Sequence, residues 1–163
     1  LEFRRVLFRS LVAERAPRCT MVLGGPGLRQ ELRDVGLRTV APTVRGVAAA
    51  PDAIVVGVDF SLTYARLTAA ANVARSGAWF VATNRDPVFP LPDGLHAGAG
   101  SIVEAVAYSA GRRPDVTVGK PEPGLFLEAC ALAGEPPARA VVIGDSLTTD
   151  MVAARAKIGR AHV

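Results

Sequence analysis

Three short runs, Thr20-Met-Val-Leu-Gly24, Ala53-Ile-Val-Val-Gly-Val58 and Ala78-Trp-Phe-Val-Ala-Thr83, are apolar almost throughout. None alternates polar with apolar residues, so neither face of such a strand can meet water. Strands of this kind belong inside a parallel sheet covered on both sides. Segments of helical spacing separate them. Pro26 and Gly27 open one through Leu28, Leu32 and Val35, with Gly36 as its stop. Ser61 or Thr63 caps a second, which carries Leu67, Ala71 and Ala74 and ends at Gly77. The spacing predicts a Pro- and Gly-rich loop over 84–100. A helix capped by Ser101, a strand at 116–118, a helix at 124–133, a strand at 140–143 and a helix from Thr148 or Thr149 follow. Strands alternating with helices imply α/β layers on a parallel sheet.

The ends read differently from the rest. Leu1-Glu-Phe-Arg-Arg-Val-Leu-Phe-Arg-Ser10 and Lys157-Ile-Gly-Arg-Ala-His-Val163 resemble the translation of a sequencing adapter, and we expect both segments to be non-native. Each carries a net charge of +2. The whole chain is +4, so residues 11–156 are electrically neutral, which argues against a nucleic-acid footprint. Hydrophobic residues make up 50% of the chain, enough for a real core, yet no apolar run reaches the roughly 20 residues of a membrane span. Cys19 and Cys130 lack metal-ligand or disulfide spacing and read as small buried apolar residues. A reduced, cytoplasmic setting is the expectation.

Two polar turns concentrate the chemistry. Val118-Gly-Lys120-Pro-Glu-Pro123 places a lysine directly after a strand, and Val142-Ile-Gly-Asp145-Ser-Leu-Thr-Thr-Asp150 places two carboxylates after another. Between the ends, Lys120 is the sole lysine. An ammonium is a compact charge for anionic oxygens. Mg²⁺ takes one or two carboxylates and completes its shell with water and phosphate oxygens. Gly98-Ala-Gly100-Ser101 and Gly24-Gly25-Pro26-Gly27 have the composition of phosphate-binding helix starts, but each also fits a plain turn before a helix. His96 reads as a surface or loop-packing residue and Trp79 as core.

Together these motifs resemble the haloacid dehalogenase-like phosphatases, in the capped branch of nitrophenyl-, phosphoglycolate- and nucleotide- or sugar-phosphate phosphatases. The likeness runs from about Cys19 to Ala156. The lysine turn is similar to the family's third motif and Gly144-Asp145 to Asp150 to its fourth. Ala82-Thr-Asn84-Arg-Asp86 with Pro92-Asp-Gly94 and Gly98-Ala-Gly100 is similar to the cap segment of this branch. The resemblance implies part of a Rossmannoid core joined to a large α/β cap, with cap residues 18–114, core residues 115–156 and residues 11–17 ending the core-to-cap connection. It implies an aspartyl-phosphate mechanism on a small phosphorylated metabolite. Lys120 and Asp150 would be catalytic, Asp145 and Asp150 would hold Mg²⁺, and Asn84 and Asp86 would face the substrate. Arg85 stands where the branch has proline. A homodimer through the cap is a further implication, and neither nucleic acid nor membrane is expected as a partner.

In the family a nucleophilic aspartate, a second aspartate two residues on and a Ser/Thr motif all precede the cap. None of the three is found in this sequence, so we expect a truncated, inactive piece of a longer enzyme. The alternative is a non-catalytic, metal-binding α/β module of receiver type.

Overall fold

The strand runs Thr20–Leu23 (β1), Ala53–Val56 (β3) and Trp79–Ala82 (β4) are buried at every position, as their unbroken apolar character requires. The computed structural model describes residues 15–119, 122–143, 150–158 and 160–162. Around those strands the chain adds α1 (Pro26–Asp34), β2 (Thr39–Val40), α2 (Val44–Ala48), α3 (Tyr64–Arg75), β5 (Val88–Leu91), β6 (Gly94–Ala97), α4 (Ala99–Ala110) and β7 (Val116–Thr117). Then come α5 (Gly124–Ala133), β8 (Val141–Ile143), α6 (Asp150–Lys157) and β9 (Arg160–His162). Five strands form one parallel sheet in the order β2-β1-β3-β4-β7.

Side chains alternate across this sheet. Met21, Leu23, Ile54, Val56, Phe80 and Ala82 face a layer built from Ala70, Val73 and Ala74 of α3 and Ile102, Val103 and Val106 of α4. Val22, Val55 and Val81 face the other way, onto Leu32 of α1 with Val118. A separate cluster joins Cys130, Val142, Met151, Ala154 and Ile158.

Helix ends follow local chemistry. Thr63, not Ser61, caps α3, its side chain accepting from the Arg66 amide. Gly36 and Gly77 take positive φ beyond the helices they stop. Thr43 accepts from the Gly46 amide to cap α2, a short helix that, like β2, carries no clear signal in the sequence.

Two expectations are corrected. Residues 84–100 are not simply a loop: β5 and β6 pair as an antiparallel hairpin turning at Pro92-Asp93, with Leu91 opposite Gly94. Asp-Gly is a hairpin signal, and Pro90 is tolerated because the ribbon has only two strands. Ser101 does not cap α4. Gly98 holds the cap position, and the Ser101 hydroxyl donates instead to the Pro87 carbonyl. β7 pairs in parallel with β4 at the edge of the main sheet. At the C-terminal end, Arg160–His162 pairs in parallel with β8. Residues 1–14 lie outside the described residues.

Candidate functional site

In open parallel sheets, ligands are met at the carboxyl ends of the strands. Here those ends are tied into a row. Gly57 donates its amide to the Leu23 carbonyl, Thr83 to Val56, Val118 to Ala82 and Gly119 to Thr83, each at 2.9 Å. The last bond carries the chain from β7 past Asn84 toward Lys120. A Cβ on Gly119 would stand 2.8 Å from the Thr83 oxygen and 3.2 Å from the Asn84 Cβ, so glycine is what lets the two turns touch. Asn84 and Gly119 are therefore neighbours. The Asn84 Oδ1 is buried and has no hydrogen-bond partner among the described residues. Lys120 itself lies outside the described residues.

The segment after Asn84 packs onto the start of α4. Gly100 donates to the Asp86 carbonyl at 2.9 Å, Gly98 to the Pro87 carbonyl at 2.8 Å and Ser101 to the Gly98 carbonyl at 3.1 Å. Cβ atoms at Gly98 and Gly100 would fall 2.1 Å from the Asp86 oxygen and 2.4 Å from the Arg85 oxygen. These glycines admit the backbone of residues 85–87, and the amides that could have cradled phosphate are already taken. The turn reading of Gly98–Ser101 stands. Arg85, in the place of the expected proline, reaches Glu104 on α4, which also binds Arg113. The Asp86 carboxylate makes no hydrogen bond or ion pair among the described residues. It is half-buried beside Asn84.

Sequence reasoning missed Asp59. It follows β3 as Asn84 follows β4, and its carboxylate is sealed. Oδ1 accepts from the Ser61 amide at 2.9 Å and the Ser61 hydroxyl at 2.7 Å, and Oδ2 accepts from the Arg66 guanidinium. Burial works against the charge, but the Ser61 and Arg66 hydrogen bonds outweigh it and hold the pKa below the ordinary carboxylate range. An Asp directly after an apolar run, with Ser two residues on, was the available signal. This network fixes the β3–α3 turn so that Phe60 projects outward, 78% exposed, edge-on to Phe89 of the hairpin at 6.1 Å. His96 pairs with Phe89 across the hairpin, their rings 6.0 Å apart, and hydrogen-bonds Asp93 at 2.9 Å, a loop-packing role as expected. Trp79 is in the core and both cysteines are free and buried.

The acidic motif is described in part. Asp145 lies outside the described residues. Asp150 is the first residue of α6, described by its backbone alone, where an anion suits the helix N-terminus. Among the described residues no three His, Cys, Asp or Glu side chains gather into a metal-holding group. No helix there is long and apolar enough to cross a membrane.

A model of haloacid dehalogenase-like hydrolases matches residues 3–156. Human chronophin is 41% identical over 141 residues, covering 84% of this chain and 47% of its own length. The D-glycerol 3-phosphate phosphatase of Mycobacterium tuberculosis is 40% identical over 136 residues, covering 83% of this chain and 36% of its own. Among solved structures, p-nitrophenyl phosphatase from Archaeoglobus fulgidus superposes with a TM-score of 0.82 at 30% identity, over 95% of this chain and 57% of that one. Glycerol phosphate phosphatase from M. tuberculosis in complex with magnesium gives 0.80 at 35%, over 94% and 45%. The chain thus spans about half the length of the relatives it matches.

Proposed function

This chain belongs to the haloacid dehalogenase-like hydrolase family, and from that premise we propose that it is part of a magnesium-dependent phosphomonoester hydrolase acting on a small phosphorylated metabolite through an aspartyl-phosphate. The observation that carries the reading is the row of strand ends that brings Asn84 against Gly119, one residue before Lys120. It sets a hydrogen-bonding side chain beside the lysine turn, at the edge where α/β sheets meet their ligands.

Lys120 neutralises the nucleophile and the transferring phosphoryl oxygens. Asn84 and Asp86 face the substrate. Asp145 and Asp150 fit a hard cation by the chemistry of their oxygens, and magnesium bound there would offset the charge on phosphate. The magnesium in the mycobacterial relative's structure supports that choice of ion. Residues 18–114 act as the cap and 115–156 as part of the core, with β7 the strand on which the chain crosses between them. A homodimer through the cap is the assembly we propose, supported by exposed Phe60, Tyr64 and Leu95. Sedimentation showing only monomer at micromolar concentration would exclude it.

Residues 1–33 contain no aspartate, so a nucleophile ahead of the cap would come from a further part of the parent enzyme. Purified residues 11–156 should show no Mg²⁺-dependent hydrolysis of nitrophenyl phosphate, since loss of a member of such a catalytic set costs on the order of 10⁴-fold or more. In the longer parent enzyme, Asp145→Asn should sharply raise the magnesium requirement and Lys120→Ala should collapse turnover. An unchanged metal titration, or wild-type turnover without the lysine, would remove those residues from the mechanism.

A further inference from the structure

We propose that Glu104 is a positioning residue: through the Arg85 guanidinium it fixes the chain between Asn84 and Asp86. The inference rests on the reading of those two side chains as facing the substrate. On either side of that stretch the backbone is tied. Thr83 donates its amide to the Val56 carbonyl and accepts from Gly119, and the Asp86 carbonyl accepts from Gly100. Among the described residues, the main chain of Asn84 and Arg85 makes no hydrogen bond. The Arg85 side chain supplies the missing tie, its Nη2 donating to the Glu104 Oε1 at 2.6 Å.

The geometry suits the task. Residues 100 and 104 lie one turn apart on the same face of α4. Gly100 admits the Arg85 carbonyl, 2.4 Å from where a Cβ would stand, and Glu104 takes the side chain of the same residue. Glu104 is itself held. Arg113, past the left-handed turn at Gly111 that ends α4, donates from Nη1 to both carboxylate oxygens, at 2.9 Å and 2.8 Å. One carboxylate thus joins the loop after β4 to the segment after α4. Arg112, the next guanidinium along, does not compete, because it is spent on Asp115 and on the Ala74 and Ala78 carbonyls. Arg85 and Glu104 keep side-chain exposures of 42% and 46%. Pairs so open to water contribute little to global stability. Their effect is local: a tie of this strength changes the population of a loop conformation by up to about fivefold.

The Gly100 amide, bonded to the Asp86 carbonyl, reports on the docked loop. In the full 163-residue chain, the near-isosteric Glu104→Gln should speed its hydrogen exchange by about fivefold and leave Val55 in β3 unmoved. Added salt should speed Gly100 exchange in the unmodified chain and not in the variant, since a surface pair is screened. Arg85→Met should match Glu104→Gln, and the double variant should go no further, because each substitution removes the same tie. Gly100 exchange unmoved in Glu104→Gln, or effects that multiply in the double variant, would overturn the proposal. In the longer parent enzyme Glu104→Gln should raise KM by about the same factor with little change in kcat, as a loss of substrate binding without a loss of chemistry does. Faster exchange with KM unchanged would overturn the proposal too, by removing Asn84 and Asp86 from the substrate, while the phosphatase reading stands. A parent that hydrolyses nothing would instead refute that reading, whatever the exchange shows.

Discussion

The Arg66 guanidinium closes over the Asp59 carboxylate with side-chain exposures of 20% and 1%. Ser61 takes the other carboxylate oxygen through both its amide and its hydroxyl. Removing one partner of such a pair leaves an uncompensated charge in the fold. Arg66→Met should therefore destabilise the chain by roughly 3 kcal/mol, the low end of the range for broken buried pairs, because Arg66 keeps some contact with water. Urea unfolding measures it. A loss below about 1 kcal/mol would place the pair among surface ion pairs, which contribute little.

The same carboxylate gives the stability a pH dependence. Its pKa is lowered in the folded state from an ordinary value of 3.8. Over that interval the unfolded chain therefore binds more protons than the folded one, and stability rises with pH. The contribution is fully present above about pH 4–5 and is lost as pH falls through 3.8 toward the folded value. Asp52, which accepts from Arg18 and Cys19, is shifted in the same direction and adds to the effect: burial is the largest single influence and opposes the shift, but the hydrogen bonds together prevail. Asp59→Asn should flatten the acid limb of a stability-against-pH curve while lowering its neutral plateau. An acid limb as steep as that of the unmodified chain would show that other carboxylates set it.

The contact between residues 85–87 and the start of α4 depends on two missing side chains. Gly98→Ala or Gly100→Ala would drive a methyl into a carbonyl oxygen at 2.1 Å or 2.4 Å. Each should cost about 1–3 kcal/mol or more, as overpacking does. Each should also shift the amide resonances of Asn84 to Asp86. Gly27→Ala is the control: nothing lies within 4 Å of its Cβ position, so its stability should change by less than about 1 kcal/mol. Equal behaviour of the three variants would refute the close approach.

What the sequence makes legible depends on range. The strands at β1, β3 and β4 and the stops at Gly36 and Gly77 rest on local rules, apolar runs and positive φ, and they are readable. The hairpin is hidden because Pro90 and Gly94 argue for a loop when read singly, although Asp93-Gly94 is a turn signal in plain sight. β2 has only two residues and follows no pattern; its place beside β1 is a tertiary fact. At the site, residue types announce Lys120, Asp145 and Asp150 through the family likeness. The sealed state of Asp59 and the unpaired oxygen of Asn84 cannot be read in sequence, because both depend on partners brought up by packing.

The main sheet and the portion that follows it should differ in local stability. Val55 is 1% exposed on β3, which has hydrogen-bonded strands on both sides. Ile143 is 84% exposed on β8, whose described pairing is with β9 alone, and Val141 beside it is 53% exposed. An open strand edge with apolar side chains in water invites both solvent exchange and association. Amides of residues 54–56 should exchange only by global unfolding, and those of 141–143 faster by at least about a thousandfold, a local opening roughly 4 kcal/mol less costly. The chain should also self-associate as its concentration rises, and a charged replacement such as Ile143→Lys should suppress that without touching protection in β3. Hydrogen exchange on a monomeric sample decides the matter. Equal, strong protection of the two strands would mean that residues 122–158 form a complete folded unit and that the proposed division of a longer catalytic core is wrong.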